Sequence, residues 1–237
     1  MASWITHAWI ADILLGDTEL DPVGFTVGSV APDCNIENAD WTSFTPPREV
    51  THFMTGKSKL TADCEGFFKR YIVEKQYSSN RERSFFLGYY AHLVADVEFT
   101  RFIRDPDRLS GVFARLRARP EYAEKLAGAE GESFDTLKAV CGKQLISRDI
   151  ESLEAEYIQG NPESGYNTVL RSIREFPDYA DFLPKGAIIR KLGLMHEVVE
   201  PIVSDRIFFT SDEYNGFVLR TAALIRSGIE RALFVAV

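Results

Sequence analysis

An almost continuously apolar helix that carries two ionisable side chains is the feature that most constrains this chain. The stretch FFLGYYAHLVADVEFTRFI, residues 85–103, has apolar residues on nearly all sides of a predicted helix, which indicates that the helix is buried. His92 and Asp96 lie four residues apart, so they project from one face, about 40° apart around the axis and about 6 Å apart along it. A buried carboxylate without a partner is costly, so Asp96 needs a cation or strong hydrogen-bond donors.

Helical periodicity dominates the rest of the chain, and alternating strand-like runs are rare. The pattern predicts helices over residues 3–15, 58–76, 81–104, 186–200 and 211–235, with several shorter surface helices between 107 and 160. Residues 21–56 contain too many prolines and glycines for a long regular element and are predicted to form a structured loop region. No repeat or linker divides the chain, so we expect one all-α domain over residues 1–237.

Three local signals refine this prediction. Pro106 cannot continue the helical hydrogen-bond ladder, so the helix that contains His92 ends before it. The segment TSDE predicts a capping box in which Thr210 and Glu213 satisfy each other's backbone at the start of the last helix. Gly28, in a turn of small residues, allows the backbone to approach a neighbouring element closely.

The charge of the chain limits its partners. With a net charge of −8 and a pI near 5.1, binding to nucleic-acid backbone or to a bulk anionic membrane is not expected. No apolar stretch reaches the roughly 18 residues of a transmembrane segment, and the N-terminus lacks the basic leader of a signal peptide. Three widely spaced cysteines fit reduced thiols. We therefore expect a cytoplasmic protein, with its oligomeric state left open.

Further histidines and aspartates accompany the helical pair. His7 lies in WITHAWIA on the first helix, Asp33 lies in the turn GSVAPDC, and His52 lies in VTHF. Taken alone, His92 and Asp96 would fit a hydrogen-bonded pair in an ordinary core. Three histidines and two aspartates together offer mixed nitrogen and oxygen ligands, which suit zinc or a similar divalent transition metal. The set favours a metal site.

The order of these motifs resembles a known family. WITH, then GSVAPD, then TH, then HLVAD preceded by FFLGYYA, resembles the zinc-dependent phospholipase C superfamily. That superfamily also includes zinc-dependent single-strand nucleases and the catalytic domain of the phospholipase D that acts on glycosylphosphatidylinositol. The resemblance covers roughly residues 1–104 and implies a metal cluster inside an all-α fold that hydrolyses a phosphoester.

The resemblance also implies a role for each residue. His52, His92 and Asp96 would bind one zinc ion, and His7 would bind a second, with Asp96 bridging the two. Asp33 would lie at the pair as a ligand or as the catalytic base that orients the attacking water. Two zinc ions, or two ions of another divalent transition metal, would lower the pKa of bound water and hold attacking and leaving oxygens in line.

A third metal ion is left open. His196 and Glu200, in MHEVVE, have helical i, i+4 spacing and are similar to the late H-x-x-x-E that supplies a third metal in secreted members of the family. The alternative is an ordinary, partly exposed histidine near a helix end. Thr100 stands where members with a third zinc carry another histidine.

The substrate is predicted only by class. Arg48 and Arg101 are candidates for neutralising a phosphate, and Trp41 for lining a substrate pocket, although such residues are more often surface ion-pair partners and core aromatics. A small phosphoester or a phospholipid head group fits the predicted centre. Two functional classes follow: a metal-dependent phosphoester hydrolase, or a metal-stabilised helical binding or scaffold protein without catalysis.

Overall fold

Helices make up most of the described chain in the computed structural model, which describes residues 2–16, 18–40, 42–196 and 202–235. The α-helices are α1 Trp4–Leu15, α2 Pro22–Gly28, α3 Arg48–Thr51, α4 Cys64–Phe68, α5 Asn80–Phe102, α6 Pro106–Arg117, α7 Pro120–Ala127, α8 Phe134–Cys141, α9 Lys143–Gly160, α10 Ala187–Leu192 and α11 Ser211–Val235. Within these ranges one sheet occurs, in which β1 Ile36–Glu37 pairs antiparallel with β2 Phe44–Thr45. The all-α fold class is confirmed.

Helix α5 is the buried helix expected from the sequence. Its first turn is capped by Ser79, whose Oγ accepts a hydrogen bond from the backbone N of Glu82 at 3.1 Å. The helix ends at Phe102, before Pro106, close to the predicted end. Side chains from Glu82 to Thr100 are buried on almost every side, so the predicted apolar helix and its buried polar pair are both confirmed.

Helix α2 packs backbone to backbone against α5 because glycines line their crossing. A Cβ atom added to Gly28 would lie 2.1 Å from the carbonyl oxygen of Phe85, and one added to Gly88 would lie 2.2 Å from the carbonyl oxygen of Phe25. No larger residue fits either position without moving a helix. The close approach predicted for Gly28 is confirmed, and it brings the turn after α2 against the middle of α5.

Helices α1 and α11 pack against each other and against α5. The predicted capping box starts α11: the backbone N of Thr210 donates to Glu213 Oε2 at 3.1 Å, and the backbone N of Glu213 donates to Thr210 Oγ1 at 3.2 Å. The Oγ of Ser3 accepts a hydrogen bond from the backbone N of Ile5 and caps α1. These contacts fix the α1 side chains that face α5.

The loop predicted over residues 21–56 is interrupted by helices. Pro22 occupies the first turn of α2, where a backbone N–H would have no partner within the helix, so its missing N–H costs no hydrogen bond. Asp21 caps the helix by accepting a hydrogen bond from the backbone N of Gly24 at 2.7 Å. A short 3-10 helix, Ala31–Asp33, and α3 follow. The local proline and capping signals favour helix here, although the high content of breakers keeps each helix short.

Two predicted helices are shorter or more broken than expected. The segment 58–76 divides into a 3-10 helix Lys59–Thr61, α4 and a π-helical turn Lys69–Val73, because the backbone of Ala62 is extended. The predicted helix 186–200 consists of α10 and a 3-10 turn Gly193–His196, and residues 197–200 lie outside the described ranges. Among the described helices, none combines the length and apolarity needed to cross a membrane.

Candidate metal centre

Four separate elements bring the five predicted ligands together. Helix α1 supplies His7, the 3-10 helix after α2 supplies Asp33, the end of α3 supplies His52, and α5 supplies His92 and Asp96. They form two overlapping groups, one of His7, His92 and Asp96 and one of Asp33, His52 and His92, in which the ligand atoms lie within 4.8 Å of one another. The five residues therefore lie together in space, and their roles as metal ligands stay a prediction.

Hydrogen bonds to backbone carbonyls orient two of the imidazole rings. His92 Nδ1 lies 2.8 Å from the carbonyl oxygen of Ser29, and His52 Nδ1 lies 3.1 Å from the carbonyl oxygen of Arg48. A carbonyl oxygen only accepts, so both contacts are hydrogen bonds when Nδ1 carries the proton, and the Thr51 hydroxyl, 2.9 Å from His52 Nδ1, can accept from the same proton. In the neutral ring the Nε2 atom of each histidine then presents a lone pair, which is the arrangement of metal-ligating histidines.

These lone pairs face other acceptors. The Nε2 atoms of His52 and His92 are 3.3 Å apart, with Asp33 Oδ1 3.2 Å from His52 Nε2 and Asp96 Oδ2 3.5 Å from His92 Nε2. Both oxygens of Asp96 are buried and make no hydrogen bond. Acceptors that converge in a buried volume need a cation or a donor to offset their repulsion.

The distances between these acceptors fit a tetrahedral zinc ion. Zinc bound to nitrogen and oxygen at about 2.0–2.1 Å places adjacent ligand atoms of a tetrahedron about 3.3–3.4 Å apart. The separations quoted above, together with 3.7 Å between His52 Nε2 and Asp96 Oδ2, span 3.2 to 3.7 Å. His52, His92 and Asp96, with Asp33 beside His52, could therefore hold one zinc ion with small side-chain shifts.

Both carboxyl groups of the cluster favour the ionised form. Burial raises the pKa of Asp33, but its contact with His52 and the nearby His92 imidazole outweigh burial and hold the pKa below its ordinary value. Burial likewise raises the pKa of Asp96, and contact with His92 together with the charge of Lys59 lowers it well below its ordinary value. Two carboxylates are thus available as ligands.

The first histidine of the cluster favours the neutral form. Burial, together with repulsion from His92, lowers the pKa of His7 well below its ordinary value. Its ring stacks on that of His92 with centroids 3.8 Å apart, and its buried Nε2 makes no hydrogen bond and lies 3.7 Å from Asp96 Oδ1. His7 Nε2 therefore faces Asp96 Oδ1 without a hydrogen bond, whereas His52 and His92 face Asp96 Oδ2.

A lysine that the sequence did not single out also enters the cluster. Lys59, on the 3-10 helix Lys59–Thr61, places its Nζ 2.6 Å from Asp96 Oδ2, and only 13% of its side chain is exposed. The contact is an ion pair whose angles fall outside those of a hydrogen bond. In the sequence, Lys59 lies in the polar run KSKL, where a lysine normally indicates a solvated surface, so no local signal marked it.

Buried polar contacts hold α1 in place next to the cluster. Thr6, which precedes His7, donates its hydroxyl hydrogen bond to the buried carboxyl group of Glu154 on α9 and lies 2.6 Å from the Tyr214 hydroxyl on α11. Ser3 donates to the same oxygen of Glu154. Burial raises the pKa of Glu154 to about 7, although these hydrogen bonds lower it in part.

The structure describes two of the three predicted substrate-binding residues, Arg48 and Arg101. Arg48 is on α3, four residues before His52, and its guanidinium stacks over the Phe44 ring at 4.1 Å. Arg101 pairs with Glu98 and lines a surface cavity of about 580 Å³ to which none of the five predicted ligands contributes. Trp41 lies outside the described residues. Arg48 is thus on the helix that ends next to His52, and Arg101 is on α5, five residues after Asp96.

The predicted third-metal residues are not brought to the cluster among the described residues. The Nε2 of His196 contacts the guanidinium Nη1 of Arg174 at 2.8 Å, and His196 belongs to neither group of candidate ligands. Glu200 lies outside the described residues. Thr100, which stands where another histidine was expected, donates its hydroxyl hydrogen bond to the carbonyl oxygen of Asp96 at 2.8 Å. The third metal site stays a prediction.

Comparison with known proteins gives one family. Residues 5–98 match the family model described as zinc-dependent phospholipase C, and this stretch contains every residue of the cluster from His7 to Asp96. No curated protein and no solved structure matches the chain. The match confirms the resemblance inferred from the motifs: residues 5–98 are similar to the zinc-dependent phospholipase C family.

Proposed function

We propose that this protein is a metal-dependent hydrolase of phosphoesters, with a zinc-like ion held by Asp33, His52, His92 and Asp96. The observation that carries the proposal is the pair of Nε2 atoms, 3.3 Å apart, that face the carboxylates of Asp33 and Asp96. The match of residues 5–98 to the zinc-dependent phospholipase C family supports both the metal and the reaction class. The two-ion centre expected from the sequence, with His7 and Asp96 at the second ion, stays a prediction.

The ion and the side chains would contribute different parts of the chemistry. A zinc ion bound here supplies Lewis acidity and lowers the pKa of its bound water towards neutrality. Asp33 has the most exposed side chain of the predicted ligands, at 10%, so its carboxylate lies on the side from which water and substrate can enter. Its lowered pKa keeps it ionised, as a ligand or a proton acceptor must be.

The substrate proposed is a small phosphodiester or the phosphodiester of a phospholipid head group. The chain as a whole is acidic, with a net charge of −8, so a bulk anionic surface would be repelled. At the centre, however, Lys59 reaches the cluster and Arg48 belongs to the helix before His52. These fixed positive charges favour a single phosphate group locally.

The test is hydrolysis by untagged protein purified without chelators. The substrates are a chromogenic phosphocholine ester, a simple aryl phosphodiester and a short-chain phospholipid, which separate head-group recognition from general diesterase activity. Asp96→Asn and His92→Ala should lower turnover at least about a hundredfold, because a catalytic metal contributes several kcal/mol to transition-state stabilisation. Asp107→Asn, an exposed aspartate at the start of α6, is the matched control and should retain activity.

The burial of the predicted ligands favours the alternative function, a metal-stabilised binding or scaffold protein without catalysis. The five predicted ligands are at most 10% exposed in their side chains, which is typical of a structural metal site closed to substrate. A metal-stabilised binding or scaffold protein would lose thermal stability on chelation and show no turnover on any of the three substrates. Metal-dependent turnover that is lost in Asp96→Asn and retained in Asp107→Asn would exclude it.

A further inference from the structure

We propose that a cavity between α1, α2 and α9 binds a small aliphatic amine through Asp12 and Thr26. The cavity has a volume of about 540 Å³, which suits an organic molecule and is far larger than a bare ion needs. It is lined by Asp12 in the last turn of α1, Thr26 on α2, Tyr157 on α9 and the loop over residues 161–165. None of the five predicted metal ligands lines it, so the proposal does not depend on the metal centre.

The carboxyl group of Asp12 lacks a cationic partner. Its two oxygens accept hydrogen bonds, one from the backbone N of Gly165 at 2.9 Å and one from the Tyr157 hydroxyl. No described lysine, arginine or histidine lines the cavity or forms an ion pair with Asp12. Burial raises the pKa of Asp12, and the two hydrogen bonds lower it only in part. A bound cation would offset this cost of burying the carboxylate.

The hydroxyl of Thr26 is a second unsatisfied group at the same cavity. Thr26 has no exposed surface, and its Oγ1 makes no hydrogen bond within the described chain. A Cβ atom added to Gly165 would lie 2.9 Å from Asp12 Oδ1 and 3.0 Å from Thr26 Oγ1, so both oxygens face the side of Gly165 that carries no side chain. A buried hydroxyl without a partner is costly, and an ammonium group, with three N–H donors, can donate to both oxygens.

The rest of the lining favours an amine over a metal ion or an anion. Asp12 belongs to neither group of three or more candidate metal ligands found among the described residues. The other charged residue of the lining, Glu163, is also acidic, so an anion would be repelled. Leu15, Pro22 and Val169 give the wall an apolar part that suits an aliphatic chain.

The experiment is isothermal titration calorimetry of full-length, untagged protein with putrescine, a short aliphatic diamine whose second ammonium group can pair with Glu163. The neutral diol of the same chain length is the matched control ligand and should not bind over the same concentration range. Asp12→Asn keeps the shape of the side chain and removes its charge, so the affinity for putrescine should fall at least about tenfold. Thr26→Val should lower the affinity about threefold and, without amine, should not lower the melting temperature, because no hydrogen bond is lost.

Two control variants separate this cavity from other acidic positions. Asp107→Asn, an exposed aspartate at the start of α6, should bind putrescine like wild type. Asp33→Asn should do the same, because Asp33 does not line this cavity. A loss of putrescine binding in Asp33→Asn would place the amine at the metal centre and would overturn the proposal.

Three further results would also overturn it: no binding of putrescine to wild type at millimolar concentrations, equal affinity in wild type and Asp12→Asn, or equal binding of the neutral diol. If Asp12→Asn does not fold, the amide chemical shifts of wild type decide. Putrescine should then shift the amides of residues 12–16, 22–26 and 160–165, and shifts confined to other parts of the chain would contradict the assignment.

Discussion

Replacing Glu154 by glutamine should remove a pH dependence from the stability of the protein. Burial raises the pKa of Glu154 from 4.5 to about 7. Its contribution to stability is therefore fully present below about pH 4.5, where the carboxyl is protonated in both states, and is lost as the pH rises to about 7. A difference of about 2.5 pKa units corresponds to about 3 kcal/mol of unfolding free energy. Glutamine is neutral throughout, so Glu154→Gln avoids this loss.

The assay is urea unfolding of metal-free wild type and Glu154→Gln between pH 5 and pH 8, followed by tryptophan fluorescence. Comparing the two proteins cancels the titration of the histidines and of the other carboxyl groups. The unfolding free energy of Glu154→Gln should gain roughly 2–3 kcal/mol relative to wild type across this range. Glu124→Gln, an exposed glutamate on α7, should follow wild type. Parallel curves for wild type and Glu154→Gln would refute the reasoning.

Two further substitutions test the packing around the centre. Gly28→Ala should destabilise the protein by roughly 1–3 kcal/mol or more and weaken zinc binding, because the new Cβ would lie 2.1 Å from the carbonyl oxygen of Phe85. Gly160→Ala is the control, because its Cβ meets no atom within 4 Å. Equal urea unfolding midpoints for Gly28→Ala and wild type would contradict the packing argument. Thr210→Ala should cost about 1 kcal/mol by removing the hydroxyl that caps Glu213 N, and an unchanged melting temperature would contradict the capping role.

The parts of the fold that the sequence predicted are those governed by local rules. Helices α1, α5 and α11 were found close to their observed bounds, because continuous apolar patterns and capping residues such as Thr210 act over a few residues. The break between Lys59 and α4 was missed, because it depends on the pairing of Ala62 with Met54 from another segment. Helix α2 was missed because its glycines are selected by contact with α5 and not by helix propensity.

The candidate site shows the same contrast between features that local sequence predicts and features that depend on contacts between distant segments. The five predicted ligands were identified because histidines and aspartates in an apolar context are uncommon and keep a fixed order along the chain. Lys59 could not be identified, because its sequence context is that of a surface residue and its burial arises only when its 3-10 helix folds against α5. The tautomers of His52 and His92 likewise depend on carbonyl groups of α3 and of the turn after α2.

The most direct test of the metal centre is anomalous X-ray scattering at the zinc edge from crystals of untagged protein grown with zinc. The geometry predicts one strong peak about 2.0–2.1 Å from Nε2 of both His52 and His92, and in contact with Asp33 and Asp96. A strong peak elsewhere, or none at this position in zinc-loaded crystals, would contradict the assignment of these residues as a metal centre.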